Sequence, residues 1–159
     1  MATWAAMAAE VPDLASAGRA LLYQHGVGLA YLATVTAGGD PRLHPVCPLL
    51  DGTGMYAFIV PSPKQRDLHR DGRYALHSFP RDDDEDAVYL TGRARPVEDP
   101  AVRRALGDQY VRERARFAVP APEPDHHLFA FDIGRCMITR TTGHGDPAPD
   151  HTVWHAPAG

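Results

Sequence analysis

Lysine is nearly absent from this chain: fifteen arginines and one lysine, Lys64, carry all of its side-chain positive charge. Cysteine is scarce too. Cys47 and Cys136 stand far apart in apolar, strand-like runs without a Cys-x-x-Cys partner, which argues for buried free thiols over a disulfide or a metal site. No stretch approaches eighteen consecutive apolar residues, so no membrane span is expected. The start, Met1-Ala2-Thr3-Trp4-Ala5-Ala6-Met7, lacks the charged and long apolar regions of a signal peptide, and a cytoplasmic protein is expected. No basic patch is interleaved with aromatics, so nucleic-acid binding has no electrostatic footprint. Gly-x-Ser-x-Gly, His-Glu-x-x-His and P-loop signatures are all missing. Gly26-Val27-Gly28 and Gly52-Thr53-Gly54 lack a third glycine before a helix, which excludes a Rossmann reading.

What is present is one domain's worth of chain: 159 residues, 44% hydrophobic, net charge −4. The acid is concentrated in Arg81-Asp82-Asp83-Asp84-Glu85-Asp86, which reads as a solvated loop. Residues 1–12 and 143–159 read as loosely ordered extensions of this single domain. Helical spacing of Leu14, Ala17, Leu21 and Leu22 predicts a helix from about Asp13 to His25, stopped by Gly26. Strands are predicted over 28–36, 42–50, 55–60, 73–79, 87–97, 128–133 and 136–142, mostly separated by hairpin turns such as Gly38-Gly39-Asp40 and Asp51-Gly52. Asp99-Pro100 opens a second long helix, to about Phe117, with Asp99 as N-cap and Pro100 in the first turn. Short, numerous strands with few helices predict a mainly β fold, a barrel or sandwich with peripheral helices. Pro45 and Pro48 cannot donate to a ladder, so their strand needs an edge, a bulge, or a face where its backbone meets something other than a neighbour.

Lys64 sits in Ser62-Pro63-Lys64-Gln65-Arg66, between a strand end and a short helix through about Arg70. In an arginine-rich chain a lysine marks a place for a compact point charge. A strand end running into a helix start with Ser, Lys and Arg is suited to a phosphate, because free N–H groups and the positive dipole end face it. The nine histidines do not suggest a metal. His126 and His127 are adjacent, and on a strand they point to opposite faces. His144, His151 and His155 lie in a Gly-, Pro- and Asp-rich tail without a framework for tetrahedral geometry. No metal site is therefore expected.

Five motifs then occur in order: the strand and Gly-rich turn at 29–39, Arg42-Leu43-His44-Pro45-Val46, Tyr56-Ala57-Phe58-Ile59-Val60, Ser62-x-Lys64 with Asp71-x-Arg73, and Tyr89-Leu90-Thr91-Gly92-Arg93-Ala94. This order and spacing resemble the pyridoxamine 5′-phosphate oxidase-like FMN-binding split-barrel superfamily. The resemblance implies a six-stranded split β-barrel and a homodimer with two flavin sites at the subunit interface. It implies cofactor contacts from His44, Pro45 and Val46 along the ring, Phe58, Ile59 and Val60 on its other side, Arg42 reaching the phosphate or ribityl chain, and Ser62, Lys64 and Gln65 at the phosphate. Trp154 matches the C-terminal aromatic that closes over the ring from the partner subunit. The activity implied is that of an FMN-dependent oxidoreductase acting on a small-molecule substrate or electron donor. The chain lacks a recognisable C-terminal Arg-x-His segment for pyridoxal phosphate, which argues against that particular oxidase activity. Two alternatives remain: a reductase using the deazaflavin F420, with Arg66, Arg70 and Arg73 serving its anionic tail, or a non-enzymatic flavin- or haem-binding module. No residue stands out as a catalytic acid or base.

Overall fold

In chain order the structure, a computed structural model describing residues 1–158, runs α1 (Trp4–Glu10), α2 (Pro12–Leu22), β1 (Ala30–Val35), β2 (Pro41–Val46), β3 (Leu49–Leu50), β4 (Met55–Ile59), α3 (Pro63–Arg70), β5 (Arg73–Ser78), β6 (Ala87–Pro96), α4 (Pro100–Glu113), β7 (His127–Arg140) and β8 (Asp150–His155). A single 3₁₀ turn follows α4 at Ala115–Phe117. The strands form one antiparallel sheet in the order β2-β1-β5-β6-β7-β4-β3, with β8 added on β7. Alternation of side chains positions this sheet over a core. Ala30, Leu32 and Thr34 of β1 and Met55, Ala57 and Ile59 of β4 are buried, and their neighbours in sequence are partly open.

The two ends of the sheet, β2 and β3, are consecutive in the chain and joined only by Cys47-Pro48. The barrel is therefore closed covalently but split in its hydrogen bonding. The split lies between the free edge of β2 and the part of β4 that β3 leaves uncovered, because β3 pairs only with Met55 and Tyr56. The prolines follow from this arrangement. Pro45 points its carbonyl to Lys64 on α3, away from β1. In an antiparallel ladder the N–H and C=O of one residue face the same side. Pro45, and Pro41 four residues earlier, thus put their missing donors on the open edge of a terminal strand, where none is needed.

The sheet has eight strands, against the seven read along the chain and the six that the resemblance implies. The stretch 42–50 breaks into two strands at Cys47-Pro48, while 128–133 and 136–142 fuse into one long strand through Gly134. The tail supplies β8, which pairs with Arg135–Arg140 of β7. The first twelve residues are likewise more ordered than expected. Thr3 Oγ1 caps α1 by accepting from the Ala6 N–H at 3.2 Å, and Trp4 and Met7 are buried in the main core. Alanine-rich segments carry little periodic signal, so only tertiary burial of one Trp and one Met reveals this helix. No helix among the described residues is long and apolar enough to cross a membrane.

A second, smaller apolar cluster lies outside the barrel, under α4. Leu49, Leu106 and Leu128 are buried there, with Tyr56, Phe58, Val97, Val102 and Tyr110 packed around them. The start of α4 is as expected: Asp99 Oδ1 accepts from the N–H groups of Ala101 at 2.8 Å and Val102 at 3.4 Å, and Pro100 occupies the first turn. Leu106 is the only residue of α4 that is fully buried, so the cap matters to its stability. Asp99→Ala is expected to lower the unfolding free energy by about 1 kcal/mol, read from the urea midpoint.

Candidate functional site

The mouth of the split gathers polar groups from β2 and α3. Helix α3 begins because Ser62, in extended geometry, accepts from the Gln65 N–H through Oγ at 3.4 Å, and Pro63 fits the first turn. Ser62 Oγ also donates to the Val60 carbonyl at 2.8 Å, tying the helix start to the end of β4. One residue into the helix, Lys64 lays its ammonium against the Pro45 carbonyl at 3.2 Å. Burial holds the Lys64 pKa below the usual lysine range, and nearby Cys47 partly offsets this. Partly dehydrated, this cation gains from an anionic partner.

Arg42 and His44 share the face of β2 turned toward α3. Asp67 of α3 is the hub behind them: its carboxylate, 4% exposed, accepts from Arg42 Nε at 2.8 Å, Thr34 Oγ1 at 3.0 Å and Arg70 at 3.2 Å. Burial alone would raise the Asp67 pKa, but these donors together outweigh it, and the net shift is downward. Arg42 uses only Nε on Asp67, so both terminal nitrogens remain available among the described contacts. The His44 imidazole is driven toward its neutral form by burial, then by the charges of Lys64 and Arg42. Its Nε2 is buried with no hydrogen-bond partner among the described residues. Cys47 completes the rim as a half-buried free thiol, whereas Cys136 is fully buried and its thiol pKa is pushed up to about 12 by that burial.

Other residues expected at the site are committed elsewhere. Gln65 is 9% exposed and spends its amide on the carbonyls of Ile59 at 2.8 Å and Asp125 at 3.0 Å, so it fastens α3 to the sheet and the loop before β7. Val46 and Ile59 are core residues, at 5% and 1% exposure. Phe58 turns away from the barrel, edge-on to Tyr110 and beneath Arg103. Strand alternation forces this outcome, since Ala57 and Ile59 take the inner face. Val60 is exposed beside Ser62. Trp154 is buried in the main core opposite Cys136, on the half of β7 that β4 does not reach. Packed there, it has little ring surface left for a ligand. Arg73 forms a two-pronged ion pair with Asp71, and Arg70 is held by Asp67 and the Val35 carbonyl. Arg66 alone of the three arginines named for an anionic tail is exposed without a partner among the described contacts. Asp67 and Cys47 were missed from sequence. Asp67 stands out as the one acid within Lys-Gln-Arg-Asp-Leu-His-Arg, but its burial is not a local property.

The family model described as pyridoxamine 5′-phosphate oxidase matches residues 19–139, most of the chain. The protein belongs to the pyridoxamine 5′-phosphate oxidase family. The family match runs from the end of α2 into β7, so Ser62, Lys64 and Asp67 lie inside it, while α1, β8 and Trp154 lie outside. Solved structures agree in fold. A haem-binding protein from Mycobacterium smegmatis superposes with a TM-score of 0.62 at 22% identity, covering 86% of this chain; the chain spans 57% of that protein's length. General Stress Protein 26 from Bacillus anthracis gives 0.60 at 16% identity, covering 77% of this chain and 91% of the other. An F420 reductase gives 0.54 at 18% identity, covering 68% and 87%. At these identities the likeness establishes the split-barrel fold of the family. No curated protein matches the sequence.

Proposed function

We propose that this family member binds FMN at the split mouth and works, as a homodimer, as a flavin-dependent oxidoreductase on a small-molecule substrate or electron donor. The observation that carries the reading is the half-buried Lys64 ammonium, set one residue inside the N-terminus of α3. Lys64 and its own backbone N–H, the one donor of that first turn that neither Pro63 nor the Ser62 cap takes up, are suited to a phosphate. The terminal nitrogens of Arg42 would add a second cationic contact, and the unpaired edge of β2 offers backbone polar groups to a planar ring. His44 would enter the site uncharged and could hold a proton at Nδ1 or Nε2. When bound, the flavin supplies the electron transfer, and the chain supplies binding, orientation and charge. Leu43 and Val60, 65% and 45% exposed, flank the mouth, and a second copy of the chain would cover them.

One observation favours the deazaflavin F420 as a second reading. Arg66, exposed and unpartnered two residues beyond Lys64, suits an additional anionic tail. The visible spectrum and mass of the co-purifying molecule separate the two readings. Two visible bands and the mass of FMN are expected, with the bound flavin reduced by NAD(P)H. A single deazaflavin band moves the assignment to F420. A Soret band, or flavin that no donor reduces, points to a binding module. Protein that is colourless and takes up neither flavin in titration overturns both flavin readings.

A further inference from the structure

A pair of histidines outside the split mouth forms a second site. His69, near the end of α3, and His127, at the start of β7, bring Nε2 and Nδ1 to 2.8 Å of each other. Both side chains are exposed, and both line a cleft of about 280 Å³ with Val97, Glu98, Arg103 and Leu128. We propose that His69 and His127 together bind a divalent transition-metal ion of the imidazole-preferring class, nickel(II) or copper(II). Two nitrogens about 2.0–2.1 Å from one ion at a right angle stand about 2.9 Å apart, and a tetrahedral pair stands about 3.3 Å apart. The observed spacing matches the right-angled arrangement, which square-planar and octahedral ions provide and zinc does not favour. To take the ion, both rings turn their facing nitrogens toward a common point beside the line that joins them, and the donor ring's proton moves by way of water to its other nitrogen.

The two rings are brought together before any ion arrives. His69 packs edge-on against Phe129, with ring centroids 4.9 Å apart, and it lies 5.0 Å from His127 at an interplanar angle of 83°. Gln65 pins the same helix to the Ile59 and Asp125 carbonyls. The backbone of His127 is fixed by its strand pairing with Ile59. Of the charged groups lining the cleft, Glu98 favours a cation and Arg103 opposes one. Arg103 is directed at the carbonyls of Glu123, Pro124 and His126, at 2.6, 3.3 and 2.7 Å. No cluster of three or more His, Cys, Asp or Glu side chains suited to a metal occurs among the described residues. Water would therefore fill the remaining positions, and the ion would be exchangeable. An ion here ties α3 to β7, so its binding should stabilise the fold. This reading is independent of the flavin proposal, because neither histidine contacts the split mouth.

The test is calorimetric titration of tag-free protein with nickel chloride, alongside melting curves with and without the metal. One saturable equivalent is expected, weakened at least about tenfold in both His69→Gln and His127→Gln, with a rise in Tm on nickel addition that both variants lose. Glutamine keeps a hydrogen bond at each position, so circular dichroism and the metal-free Tm should match the parent. Copper(II) bound to the parent should show nitrogen superhyperfine splitting from two imidazoles. His151→Gln controls for the other histidines and should bind as the parent does. Equal affinity in parent and both variants, or no saturable binding to the parent, overturns the proposal.

Discussion

Replacing Lys64 by alanine should weaken FMN binding by about 1.5–3 kcal/mol, roughly ten- to 150-fold in Kd, the scale of a hydrogen bond to a charged group. The expected loss is large because the ammonium is partly dehydrated, and burial already holds its pKa down. An anion restores what burial takes away. In the free protein Lys64 makes a single hydrogen bond, to the Pro45 carbonyl, which faces an open strand edge and can turn to water. The melting temperature of the free variant should therefore stay close to the parent's. Fluorescence titration with FMN, compared with riboflavin, checks the assignment. Lys64→Ala should penalise FMN and leave riboflavin nearly unchanged. An equal penalty for both would remove Lys64 from the phosphate, and no penalty for either would make it an ordinary surface lysine.

Asp67→Asn is expected to cost about 3 kcal/mol of stability at neutral pH. The substitution keeps the shape and removes the charge that Arg42, Arg70 and Thr34 converge on. It also turns an amide N–H₂ toward two guanidinium groups. The pH dependence has a definite sign. The carboxyl pKa is lower in the folded protein than in the unfolded chain. Its contribution is therefore full above the unfolded value of about 3.9 and disappears as pH falls through the lower folded value. Urea unfolding of parent and variant should differ by the full amount at pH 7, and the gap should narrow as the pH drops below about 4. A gap independent of pH would mean that the loss comes from packing. Because Asp67 orients Arg42 through Nε, the variant should also bind FMN more weakly. Arg42→Ala in the Asp67→Asn background should then add less than it does alone.

Local pattern made much of the architecture legible. The strands at 30–35 and 55–59, the Asp99-Pro100 start of α4 and the short helix after Ser62-Pro63 each depend on residues within a few positions of one another. Burial and capping act at that range. The errors have a common origin. Fusion of 128–133 with 136–142 across Gly134, addition of β8 and ordering of α1 depend on contacts between segments distant in sequence. The backbone of Ala156 reaches Gly134 at 2.9 Å, and Ala2 bridges to Ile133. A turn signal near glycine reads as a break because its local meaning is the same whether or not a distant strand pairs across it.

The candidate site divides in the same way. The sequence by itself determined that the single lysine stands at a strand-to-helix junction beside a serine and an arginine, since residues within three positions of one another are a local matter. It also determined, through five motifs in order, the split-barrel family. Which neighbours serve that lysine was decided only by tertiary structure. Phe58 and Gln65 are adjacent to the right segments, but strand alternation turns one toward α4, and the Asp125 carbonyl, 60 residues further along the chain, holds the other together with the Ile59 carbonyl. Asp67 acquires its role because β1, β2 and α3 converge on it and exclude water. A carboxylate surrounded by donors from 25 and 33 residues away has no signature along the chain.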